Sequence, residues 1–199
     1  MPAADTREQI VEAADRLFYE QGFEATSFAD IANSTGLSRG NFYYHFKTKD
    51  DILDAVIAQR LAATQAMLAA WEDGGETPER RIASFIEILI ANQAKIIAFG
   101  CPVGTLSNEL AKLDHGANRD AARIFALFRD WLAEQFAAMG RVDAKDALAL
   151  HVLMRSQGVA TLATAFQDED FVRREVADMH AWLAAQRPDR APPQSVSTI

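Results

Sequence analysis

The sequence predicts an all-α fold: a three-helix N-terminal head, joined by a fourth helix to a larger helical body. Three observations predict it. Apolar residues recur at helical spacing along the chain, and runs of alternating β-branched residues are missing. Gly and Pro are few, 10 and 6 in 199 residues, and fall at plausible junctions. Ser27 with Asp30 and Thr48 with Asp51 both have the capping-box spacing that opens a helix.

A first helix is expected over residues 6–21, with Ile10, Ala14, Leu17 and Phe18 on one face, closed by Gly22. A second, short helix follows Ser27 and stops at Gly36. Ser38 caps a third, which carries Phe42 and Phe46 inward. Thr48 opens a fourth, running to about residue 71. The turn "EDGGETP" (72–78) divides the chain. Beyond it, longer helices are expected over 78–99, 105–112, 118–139, 144–167 and 171–186. "GCPVG" separates the first two because Pro cannot continue a helix. The tail "RPDRAPPQSVSTI" reads as disordered.

Bulk properties narrow the function. The apolar share, 49%, is that of a globular protein able to bury a core. A single cysteine, Cys101, excludes an internal disulfide and fits a reducing cytoplasm. The opening residues lack the basic and apolar runs of a secretory signal. The most apolar segment is broken by Glu87, Asn92, Gln93 and Lys95, which favours a buried helix over a membrane span. No HExxH, nucleotide loop or zinc-spaced Cys/His set occurs, and the four histidines are scattered, so neither an enzyme nor a cofactor or metal site is expected. A formal charge of −8 argues against non-specific binding to polyanions, so any nucleic-acid contact must come from a local patch.

One such patch exists. Residues 31–49 contain no Asp or Glu; they hold Arg39, Lys47, Lys49, Asn41, His45, Tyr43 and Tyr44. By itself an acid-free run of this length is weak support, since chance supplies one fairly often. It coincides, however, with two short helices joined at "STGLS", a helix-turn-helix pattern bent at Gly36. In such a motif the second helix enters the DNA major groove N-terminus first. Arg39, Gly40 and Asn41 would lead. Arg can hold guanine and Asn adenine, each through two hydrogen bonds. Gly40 lets the backbone approach, while Tyr43 and Tyr44 offer rings and hydroxyls. Lys49, and on the other side Thr26 and Ser27, mark helix starts where a phosphate is favoured.

"ADIANSTGLSRGNFYYHFKTKDDIL" resembles the DNA-binding segment of the TetR family of bacterial transcriptional regulators, with the likeness extending over residues 5–55. The resemblance implies base contacts from Arg39, Asn41 and Tyr43 and phosphate contacts from Thr26, Tyr44, His45 and Lys49. His45 could equally cap or pack. Ser27, Ser38 and Gly40 complete the expected DNA-binding set. Asn41 departs from the Thr or Ser of many relatives, so the operator sequence does not transfer.

The same resemblance implies a homodimer on double-stranded operator DNA and a small-molecule effector. Residues 1–50 would be the DNA-binding head. Residues 51–186 would be the ligand-binding and dimerisation body, with 51–71 as connecting helix, and 187–199 the tail. For the dimer face the expected residues are Leu148, Val152, Val159 and Phe166, with Val172, Val176, Met179, Trp182 and Leu183 at near-heptad spacing; completion of a monomeric core is the alternative. Expected ligand-pocket residues are Phe85, Leu89, Phe99, Cys101, Leu106, Phe125, Phe128, Leu132, Met154, Gln157 and Thr161; each could instead be plain core. Cys101, near a helix start, is either a sensor of oxidants or electrophiles or an inert thiol. The overall expectation is a cytoplasmic repressor released from a palindromic operator by a ligand, with an effector-independent regulator or activator as the alternative.

Overall fold

The computed structural model describes residues 3–74 and 77–187; among them all regular structure is helical. Gly75 and Glu76 of the expected turn, and all of the expected tail but Arg187, lie outside the described residues. The helices are α1 (Ala3–Gln21), α2 (Phe28–Thr35), α3 (Arg39–His45), α4 (Lys49–Asp73), α5 (Pro78–Ala91), α6 (Gln93–Phe99), α7 (Pro102–Lys112), α8 (Asn118–Ala138), α9 (Lys145–Phe166) and α10 (Glu169–Ala184). A 3-10 turn, Val142–Ala144, leads into α9.

Local chemistry sets the head helices. The Ser27 hydroxyl accepts from the Asp30 N–H and the Asp30 carboxylate accepts from the Ser27 N–H, a complete capping box; Thr48 and Asp51 repeat it before α4. Gly36 ends α2 at φ 64°, a left-handed conformation that costs glycine nothing.

Two differences from expectation have local causes. The helix expected over 78–99 breaks at Asn92, which leaves helical geometry at φ −111° and ψ 15° while its side-chain amide and its N–H both donate to the Ile88 carbonyl, at 3.1 and 3.0 Å, and so cap α5. Pro102, expected only to interrupt, instead opens α7, because the first helical position needs no N–H.

The apolar faces form two cores. The head-side core joins Ile10, Phe18, Phe23, Ile31, Phe42, Phe46, Ile52, Leu53 and Val56 to Leu106, Leu110, Ala117 and Ala121 from far along the chain. The body core gathers Leu68, Ile82, Ile86, Leu132, Phe136, Val152, Val159, Val172, Val176, Met179 and Leu183. The α4 helix serves both, its first half packed in the head and Leu68 in the body. At about 1.5 Å per residue it is about 37 Å long.

Candidate nucleic-acid interface and interior cavity

Phe42 and Phe46, four residues apart, anchor α3 and the residue after it in the head core. That register turns Arg39, Gly40, Asn41, Tyr43 and Tyr44 to solvent. Tyr43 is 48% exposed and Tyr44 73%. Ser38 caps the helix, accepting from the Asn41 N–H at 3.4 Å. The Tyr43 ring is braced by Phe28 at 5.3 Å and Phe42 at 6.2 Å, and Tyr44 lies against His45 at 5.1 Å. Nothing stands within 4 Å of where a Gly40 side chain would project, which leaves the backbone approachable. Lys47, missed among the expected contacts, donates through Nζ to the Tyr43 carbonyl.

The electrostatics suit a polyanion. Between Ile31 and Lys49 the surface bears three full cations and no carboxylate. Asp30, Asp50 and Asp51 flank the window; Asp50 is exposed, while Asp30 and Asp51 are held below the usual carboxylate range, first by the side-chain hydrogen bonds of Ser27 and Thr48 and then by the N–H groups of the same residues. The charge of these last two is thus directed at helix N-termini.

Two expected phosphate contacts change. Thr26 is fully buried and its hydroxyl donates to the Gly22 carbonyl at 2.7 Å, so its side chain is withdrawn from any outer surface. The Lys49 ammonium donates to the Phe23 carbonyl at 2.9 Å and lies 4.2 Å from the centre of the Phe23 ring, a structural role that sequence reading missed. Ser27 remains exposed, with its hydroxyl on Asp30 at 2.6 Å.

A cavity of about 640 Å³ lies between head and body. Of the expected pocket residues, Phe85, Leu89, Phe99, Cys101, Phe128 and Gln157 line it. The other five do not. Leu106 belongs to the head-side core and Leu132 to the body core, while Phe125 packs against the latter. Met154 is 64% exposed, and Thr161 is exposed with its hydroxyl on the Gln157 carbonyl at 2.9 Å. Tyr19, Thr64 and Ser156, outside the expected set, also line the cavity.

Head and body are tied at three points beside it. Tyr19 of α1 donates to the carbonyl of Gly100 at 2.8 Å, with that of Lys95 at 3.1 Å. Burial pushes its phenol up to about 12, with Cys101 adding to the rise and Arg60 opposing it. Arg60 of α4 bridges Asp15 and the Pro102 carbonyl, each at 2.6 Å. Glu109 of α7 accepts from the N–H groups of Phe23 and Glu24, each at 2.9 Å.

The expected dimer face is corrected. Val152, Val159, Val172, Val176, Met179 and Leu183 are buried within the subunit's own core, so they cannot also meet a second subunit. Leu148 and Trp182 are half-buried. Exposed instead is a ridge on α9 at every fourth residue: Leu150, Met154, Leu162 and Phe166, with Gly158 at its centre. Phe166 was among the expected residues.

A short capped helix presented outward on a compact helical head defines a helix-turn-helix DNA-binding protein. The model of the bacterial regulatory proteins of the tetR family matches residues 10–56. Over 168 residues the chain is 30% identical to an uncharacterized HTH-type transcriptional regulator in the lacX 3' region of Lactococcus lactis subsp. lactis, covering 82% of this chain and 86% of that protein. It is 26% identical over 126 residues to the HTH-type transcriptional repressor DhaR of Mycobacterium sp. (strain GP1), covering 63% of this chain and 62% of that one. A TetR transcriptional regulator from Legionella pneumophila shares the fold, with a TM-score of 0.80 at 23% identity over 94% of this chain and 100% of the other. The chain belongs to the TetR family of bacterial transcriptional regulators. It is a transcriptional regulator with a DNA-binding domain, and not an enzyme.

Proposed function

We propose that the protein is a cytoplasmic repressor that binds a palindromic operator as a homodimer and is released by a small-molecule ligand. The observation that carries this reading is the outward set Arg39, Asn41 and Tyr43 on a helix whose other side is locked in the core. Arg39 and Asn41 would read base edges, Tyr43 would meet a base or sugar, and Tyr44 would meet phosphate. His45, Ser27, the Ser38 turn and the backbone N–H of Lys49 at the start of α4 would lie along the backbone of the duplex. A repressor role is supported by the description of DhaR. Residues 1–50 would then act as reader and residues 51–186 as ligand and dimer body.

The α9 ridge would form the dimer contact, because contiguous exposed apolar surface marks an interaction site. The i, i+4 spacing suits ridge-into-groove packing, and Gly158 allows close approach. Ligand in the cavity would favour one position of α1 and α4 through the Tyr19, Arg60 and Glu109 ties, moving the paired α3 helices off half-site spacing. The test is transcription from a promoter overlapped by a duplex selected from random DNA. Added protein should lower transcript; a rise makes it an activator, and no change rejects both.

Cys101 favours a second reading. Its thiol lines the same cavity and takes a 3.5 Å contact from the Gln157 amide. A thiol response would use that position. Mass spectrometry after mild N-ethylmaleimide treatment decides, since an unmodified Cys101 in native protein ends the idea.

A further inference from the structure

We propose that the cavity takes an uncharged, largely apolar molecule of drug size that hydrogen-bonds to the hydroxyls of Thr64 and Ser156. The proposal rests on the ligand-responsive reading above and names the class of ligand. The volume, about 640 Å³, falls within the range of about 300–1,000 Å³ usual for small-molecule sites. The walls are mainly apolar, with Phe85 and Phe128 edge to face at 5.2 Å.

Two hydroxyls interrupt those walls. Thr64 on α4 is 8% exposed and Ser156 on α9 is 7% exposed, yet neither hydroxyl has a hydrogen-bond partner among the described residues. Ser156 has only apolar helical neighbours, Val152, Val159 and Ala163 among them, and Thr64 sits between Ile57, Leu61 and Leu68, with Arg60 one turn before it. Each hydroxyl oxygen is reachable from the cavity and uncommitted to the protein, so a ligand there can donate to it or accept from it. Gln157 adds a polar group, since its amide makes only the long contact to Cys101.

The interior offers no charge to match. Arg60 is already neutralised by Asp15 and bound to the Pro102 carbonyl. Glu12, Arg16, Glu20 and Lys95 also line the cavity but are exposed, two of each sign. An ammonium or carboxylate carried inside would lose its water without gaining a counter-charge.

The test uses one fluorescent ring with four substituents: 1-pyrenemethanol, 1-methylpyrene, 1-pyrenecarboxylate and 1-pyrenemethylammonium, each titrated into the full-length protein without DNA. The alcohol should bind tightest, with both charged members weaker by about tenfold or more. Thr64→Val and Ser156→Ala should each cut the advantage of the alcohol over methylpyrene by up to about tenfold, the size of one hydrogen bond. The proposal is overturned if a charged member binds as tightly as the alcohol, if the advantage survives both substitutions, or if no member binds. The charge series on the unsubstituted protein decides even if a variant fails to fold. Repeating the titrations on the operator complex separates the two readings. A best-binding charged probe that releases DNA rejects the class and keeps ligand response. The expected binding order with no release keeps the class and rejects ligand response.

Discussion

The Glu109 carboxylate meets the Phe23 N–H at 2.9 Å across 86 residues of sequence, and its second oxygen meets the N–H of Glu24. These donors lie in the loop between α1 and α2, where the helix-turn-helix begins. Hydrogen bonds to an ionised group contribute roughly 1.5–3 kcal/mol each when buried, and one of these two is exposed. Glu109→Ala should therefore lower stability in urea by about 2 kcal/mol and weaken operator binding without touching α3. Glu109→Gln should recover part of it, since the amide oxygen still accepts. An alanine variant as stable as the parent would remove Glu109 as a tie.

Arg39 and Lys49 should separate in a paired measurement. Arg39 is exposed, and its loss should leave the melting temperature unchanged while removing roughly 1–3 kcal/mol of discrimination at one base pair. Lys49 is bonded to the head itself. Lys49→Ala should cost about 1–2 kcal/mol of stability, from a charged hydrogen bond and a cation–π contact. Equal melting temperatures for the two variants would contradict that division.

The α9 ridge yields a test of assembly. Met154→Glu and Leu162→Glu place charge on a surface already solvent-exposed in the subunit. Folding should be unaffected, but burying either charge against a second subunit should weaken the dimer by several kcal/mol. Light scattering should show folded monomers. A dimer that persists in the double variant would place the contact elsewhere.

The capping carboxylates set a pH dependence. The Asp51 pKa is lowered from its ordinary value of 3.8, chiefly by the Thr48 hydroxyl. The folded state therefore favours the ionised form. Its contribution is whole above the ordinary value and is lost as pH falls through the lowered one. The gap in melting temperature between the parent and Asp51→Asn should be constant from about pH 8 to about pH 5 and close only below about 3.8. A gap that closes near neutrality would mean another group is responsible.

What was legible in the sequence was local. Ser27 with Asp30, Thr48 with Asp51, and Gly36 act through residues at most a few positions away, so the head helices and the exposure of Arg39, Asn41 and Tyr43 followed from spacing. The dimer stripe failed because α9 is apolar on more than one side. Its spacing shows two stripes, and only packing against α8 and α10 assigns Val152 inward and Met154 outward. Ser156 carried a usable signal, a polar residue in an otherwise apolar register, and Thr64 a weaker one, with Arg60 one turn before it. Glu109 carried none, since nothing near it in sequence distinguishes it from a surface acid. The head-side core likewise recruits Leu106 and Leu110 across a distance that no local pattern reports.

The most direct measurement is selection of bound duplexes from random DNA by the parent and Arg39→Ala side by side. The parent should enrich a twofold-symmetric site with half-site centres about 34–36 Å apart, and the variant should lose preference at one symmetric pair of positions. No enrichment, an unsymmetric site, or the same consensus from both proteins would contradict a pair of outward α3 helices reading the major groove.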